Sequence, residues 1–73
     1  MRKEEIDNIL KQRPFHPFEI RLVDGRTYRF VSPDQLLVNR SAIYTLDENQ
    51  DGLFINLGLI ATIHVHDGAD LTG

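Results

Sequence analysis

The chain has no cysteine and no tryptophan, and only one methionine among 73 residues. Without cysteine there can be no disulfide and no thiolate-bound metal to brace the fold. Small secreted domains usually depend on such braces, so the expected setting is a reducing compartment, the cytoplasm. No apolar run approaches the roughly 20 residues of a membrane-spanning helix. The opening Met1-Arg2-Lys3-Glu4-Glu5 mixes acid with base and has no apolar stretch of the kind a secretory signal carries. Serine is confined to Ser32 and Ser41, no glycine-rich phosphate loop is present, and a domain this small encloses a pocket of the roughly 300 Å³ that ligand sites need only with difficulty. These absences together predict a protein that is not an enzyme and takes no cofactor.

The chain is also short of cationic charge. Its formal net charge is −3, which opposes general nucleic-acid binding, because that affinity rests on neutralising phosphates. The charge is unevenly spread. Residues 1–31 hold seven cationic and five acidic side chains, whereas residues 32–73 hold Arg40 alone against six acids. A molecule with this polarity has one end suited to meeting the other end of a second copy, or a charged partner. A chain of this length buries only roughly 60% of the surface its unfolded form exposes. Stability therefore comes from apolar burial alone or from association with another chain. A protein partner or a homo-oligomer is the expectation.

Hydrophobic periodicity sets the elements. Ile6, Ile9 and Leu10 share one stripe of a helix over residues 2–12, with Glu4 and Glu5 near its start and Lys11 and Arg13 near its end, as the helix dipole favours. Pro14 closes it, since the residue before a proline is pushed out of the α region. Pro14-Phe15-His16-Pro17 is a stiff connector whose phenylalanine, with Phe18, packs the seam between helix and sheet. Phe18 to Phe30 alternates apolar and polar residues on both sides of Asp24-Gly25, a strong hairpin signal. A two-residue turn would set Ile20 against Arg29 and mix the faces. A three-residue loop, Val23-Asp24-Gly25, instead sets Phe18 against Phe30, Ile20 against Tyr28 and Glu19 against Arg29, with Gly25 as the positive-φ residue. The three-residue loop is therefore predicted.

Ser32-Pro33-Asp34-Gln35 interrupts the sheet, because Pro33 cannot donate to a central ladder. Short strands follow at 36–38, 42–46 and 53–57, and a last one at 59–66 turns Ala61, Ile63 and Val65 to one side and Thr62, His64 and His66 to the other. One domain over residues 1–67 with a frayed tail at 68–73 is expected. Its class is mainly β with one N-terminal α-helix: a small antiparallel barrel of about five strands, closed so that no edges are exposed.

The stretches Phe18–Arg26 and Phe54–Ile63 are similar to the two motifs of the Sm-like family, and the order helix-then-strands resembles that family and SH3-like small barrels. The resemblance implies a bent five-stranded barrel. RNA-binding members carry an aspartate and an asparagine after strand two and a basic residue before the glycine of the second motif. Here those places hold Ser32-Pro33-Asp34-Gln35-Leu36 and Asn56, and Leu57-Gly58-Leu59 is unlike the tyrosine–lysine–histidine turn of the bacterial host-factor branch. The resemblance therefore implies the fold and not RNA binding. Arg13-Pro14-Phe15-His16-Pro17-Phe18 leading into Leu22-Val23-Asp24-Gly25-Arg26 also resembles a group of short uncharacterised bacterial proteins, which implies no known activity.

Candidate binding residues are few. His64 and His66, at i and i+2 on one strand face, have the spacing of some metal sites, with His16 or Asp67 to complete them. Two of four ligands do not define a site, and exposed strand histidines are the simpler account. The acidic 47–52 segment lacks the alternating ligand pattern of a calcium loop and reads as a hairpin loop. Arg13, Arg21 and Arg26, with Arg29 and Tyr28 nearby, form the one basic group on which nucleic acid could dock. Glu19 is expected to occupy Arg29. The function predicted is thus a non-catalytic interaction module, self-associating through edge strands, with nucleic-acid binding by the hairpin arginines as the alternative.

Overall fold

The computed structural model describes residues 1–66; the expected tail at 68–73, and Asp67, lie outside the described residues. A helix α1 (Lys3–Lys11) precedes strands β1 (Phe18–Leu22), β2 (Thr27–Phe30), β3 (Leu37–Val38), β4 (Ala42–Leu46), β5 (Gly52–Asn56) and β6 (Ile60–Val65), with 3-10 turns at Pro33–Gln35 and Leu57–Leu59. The strands form two antiparallel three-stranded sheets, ordered β2-β1-β6 and β3-β4-β5. The chain is mainly β with one N-terminal helix, as expected. The strand ladders do not run on into a single closed barrel: there are six short strands, and each sheet keeps two edges.

The break between the sheets has a local cause. Pro33 opens the first 3-10 turn, and the turn is held from both ends: Ser32 Oγ accepts from the Asp34 N–H at 3.2 Å, while Gln35 Oε1 accepts from the Ser32 N–H at 3.0 Å and from the Val31 N–H. These side chains satisfy the backbone that a continuous strand would have paired. The residues just past Phe30 thus turn away from the first sheet. Thr45 Oγ1 donates to the Gln35 carbonyl at 2.7 Å and ties the turn to the second sheet.

The first hairpin has the predicted register. Phe18 faces Phe30, Glu19 faces Arg29 and Ile20 faces Tyr28. The Gly25 N–H donates to Leu22 O at 2.9 Å, the Leu22 N–H donates to Arg26 O at 2.8 Å, and Gly25 has φ +93°. That conformation is open to glycine at little cost. Although Glu19 and Arg29 are opposite one another, they do not form an ion pair. Among the described residues the ion pairs are Arg2–Glu5, Lys3–Asp7 and Arg26–Asp24.

The core lies between the sheets. Phe18 and Ile20 of β1, Ile43 of β4 and Ile6 of α1 are fully buried. Phe18 stacks edge-on against Phe15 at 6.0 Å, and Phe15 packs partly against the core. The helix is shorter than expected, because Gln12 already has extended backbone angles. Its stripe behaves as read, with Ile6 buried and Ile9 and Leu10 partly so. One expectation for β6 needs correction. Arg21 pairs with Thr62, but Leu22 pairs with Ile60, so the register skips Ala61. This bulge turns Ile60 into the core at 7% exposure and leaves Ala61 outside. Ile63 and Val65 keep the predicted side. An alternation rule cannot anticipate one inserted residue.

Candidate functional site

The two sheets present very different outer faces. On the first, the side chains turned away from the core are Glu19, Arg21, Thr27, Arg29, Thr62 and His64, all polar. Glu19, Arg21, Thr62 and His64 line a depression of about 450 Å³ there. On the second sheet Ile43 and Ile55 point inward, and Leu37, Tyr44, Leu46 and Phe54 point outward. Three of the four most exposed large apolar side chains lie on this face: Phe54 at 75%, Leu37 at 72% and Leu46 at 59%.

The face is built from sequence upward. β4 and β5 are apolar at successive positions, so whichever face packs inward, the other is apolar too. The register places Leu37 beside Tyr44 and Tyr44 beside Phe54, giving one row across three strands. Tyr44 and Phe54 meet edge-to-face with ring centroids 4.7 Å apart, and Asn39 Nδ2 donates to the Tyr44 hydroxyl. Tyr44 is thereby fixed, while Phe54 stands on the outermost strand, backed on one side only. A shallow hollow of about 310 Å³, lined in part by Leu36, Leu37, Tyr44 and Leu46, lies on the same sheet. Asp34 also lines this hollow, and Asp47 and Glu48 line a neighbouring cleft.

The loop joining β4 to β5 is organised by its own first residue. Asp47 Oδ1 accepts from the Asn49 N–H at 2.8 Å and the Asp51 N–H at 3.0 Å. That carboxylate oxygen is occupied in holding a hairpin loop, as the sequence indicated. The second 3-10 turn is similarly self-contained, with Asn56 Oδ1 accepting from the Gly58 N–H at 2.7 Å. Asn56 thus caps a turn.

The candidate arginines are not brought together. Arg13 donates to Leu10 O and Gln12 O, both at 2.8 Å, and serves the end of the helix. Arg26 donates from Nε to Asp24 Oδ2 at 2.8 Å inside the turn. The Arg26 backbone N–H and then its guanidinium hold the Asp24 carboxyl below its ordinary range, and that carboxylate in turn raises the guanidinium. Arg21 stands separately, beside Thr62 and His64 on the polar face. His64 and His66 are stacked, with centroids 4.7 Å apart and planes 12° from parallel. His64 faces Glu19 across the ladder, and His16 lies in the connector. Among the described residues no three histidine, aspartate or glutamate side chains converge on a metal position. Among them, too, no helix is long and apolar enough to cross a membrane.

Sequence reasoning missed the Leu37–Tyr44–Phe54 row. Its signal was present: Tyr44 and Leu46 alternate with Ile43, and Phe54 alternates with Ile55, so both strands are apolar on both faces. In a chain too short to build a third layer, one of those faces stays uncovered. Compared with known protein families, curated proteins and solved structures, the chain matches none of them.

Proposed function

We propose that the chain is a non-catalytic interaction module that self-associates in a reducing, cytoplasmic setting, using the outer face and free edge of the β3-β4-β5 sheet. The observation that carries this reading is Phe54: a large aromatic side chain, three-quarters exposed, on an edge strand whose backbone is open on one side. A free edge beside an apolar face is a template for another chain, and soluble folds usually blunt it with charge or proline. β5 carries neither. The adjacent hollow suits the entry of a ring from a second copy. The uneven charge favours a head-to-tail approach, with the acidic end of one copy meeting the net cationic 1–31 portion of the next. An Sm-like or SH3-like barrel is the architecture we infer for this module. The return of the last strand to pair with the first supports it, because that is how a small sheet wraps on itself.

Sedimentation velocity of the protein beside Phe54→Lys tests this. Fully burying a phenylalanine contributes about 1.5–3 kcal/mol, and three-quarters of that remains to be gained at Phe54, so about 1–2 kcal/mol per ring. Lysine there should weaken association about 5- to 30-fold and leave folding nearly unchanged. A protein that stays monomeric at about 0.5 mM, or a variant that associates as the parent does, would refute the proposal. Nucleic-acid binding by Arg13, Arg21 and Arg26 is the competing outcome, and retention of labelled RNA on a filter at low salt would support it instead.

A further inference from the structure

The second exposed edge of interest belongs to the other sheet. β2 is the outer strand of its sheet, and its backbone parity is fixed by the turn. The Leu22 N–H donates to Arg26 O at 2.8 Å, so Arg26, Tyr28 and Phe30 direct their backbone groups towards β1. In an antiparallel pair the intervening residues direct theirs away. Thr27 and Arg29 therefore offer two N–H donors and two carbonyl acceptors to the outside. The Val31 N–H, next in that outward series, is already held by Gln35 Oε1, which confirms the parity and marks where the open edge stops.

That edge does not face open solvent. It runs along a cleft of about 460 Å³ whose far wall is the end of the β4–β5 hairpin. Tyr28 and Leu53 contribute apolar surface, and both pack partly against the core. Arg29 stands on the β2 side without an ion-pair partner, and Glu48 on the hairpin side likewise lacks one among the described residues. Arg26, also on the β2 side, is already engaged by Asp24.

We propose that this cleft is a peptide-binding site, in which a short extended segment of a protein partner pairs with the open edge of β2 through backbone hydrogen bonds. The volume lies in the range of ordinary ligand sites. Strand addition of this kind draws affinity from main-chain bonds and selectivity from alternate side chains. Here one face of the added segment meets Tyr28 and Leu53. An acidic residue suits Arg29, and a basic one suits Glu48. The occupant is a single strand and not a second folded copy, because the hairpin wall stands where the neighbouring strands of a second sheet would have to go. This site adjoins the self-association surface, since Gln35, Thr45 and Leu46 line both the cleft and the hollow beside it.

The test uses a capped heptapeptide of alternating valine and threonine with a glutamate at one end and a lysine at the other. Two further versions are N-methylated at alternate positions, each blocking one edge of the strand. With isotope-labelled protein carrying Phe54→Lys, binding should move the Thr27 and Arg29 amide resonances and slow their hydrogen exchange about tenfold or more. One methylated version should lose the effect and the other keep it. Glu48→Lys should weaken the parent peptide about two- to fivefold. No response at Thr27 and Arg29 up to millimolar peptide would overturn the proposal. Equal binding by both methylated versions would also overturn it, because apolar adsorption does not distinguish the two edges. Running the titration on the Phe54→Lys variant separates this outcome from the fate of the self-association reading.

Discussion

Replacing Ile6 by alanine should strongly destabilise this domain, although Ile6 lies twelve residues before the first strand. It is the one fully buried side chain of α1. A nine-residue helix is marginal in water by itself, so α1 persists only through what it packs against. Isoleucine-to-alanine changes in a core cost about 2–5 kcal/mol. Alanine is the better helix former by a few tenths, which leaves a net loss of about 2–4 kcal/mol. A domain of this size has a total stability of about 4–11 kcal/mol. At about 4–8 °C per kcal/mol, the melting temperature should fall by roughly 8–32 °C. Thermal melts followed by circular dichroism give the number directly, with the exposed Asn8→Ala as the control that should barely move. Because α1 packs beside β3, hydrogen exchange in the β3–β4 ladder should accelerate before exchange in β1. A fall of less than about 5 °C would refute the reasoning, since the helix would then be anchored by something other than Ile6.

Two further outcomes follow from side chains that hold turns. Asn56→Ala removes the acceptor of the Gly58 N–H and should cost about 0.5–1 kcal/mol in urea unfolding, with most of the loss restored by aspartate. Asp24 has its folded pKa below the usual 3.8, chiefly through the Arg26 backbone N–H. Its contribution is therefore complete above about 3.8 and is lost as the pH falls from there through the lowered value. Asp24→Asn should accordingly lower stability near neutrality, where that contribution is complete, and flatten the profile below that pH.

The first hairpin was legible in detail because two independent signals agree on it. The side-chain alternation and the need for positive φ at Gly25 admit one register. The bulge at Ala61 was not legible, since a single skipped residue leaves no mark on the composition of a strand. Pairing among the charges was only partly legible. Glu19 and Arg29 were correctly set opposite one another, yet register fixes the backbone and not the rotamers of two long side chains in water. Arg13 and Arg26 read in sequence as members of a candidate basic patch, whereas each is held by a neighbour within three residues. The outer face of the second sheet was legible only as a double apolar pattern. Periodicity shows that both faces of a strand are apolar, but which one meets water depends on where the other sheet lies.

The pairing of β6 with β1 also has a kinetic meaning. Phe18 meets Val65 across this ladder but meets Phe30 across the hairpin. Closing the longer loop costs about 1 kcal/mol more chain entropy than closing the shorter one. The β1–β2 and β4–β5 hairpins are therefore expected to form first, and the β1–β6 ladder after them. On a chain emerging from the ribosome, the inner edge of β1 stays open until residue 65 arrives. During that interval a neighbouring nascent chain can supply the missing strand, so co-translational exchange of β6 between copies is the misassembly to which this topology is most exposed.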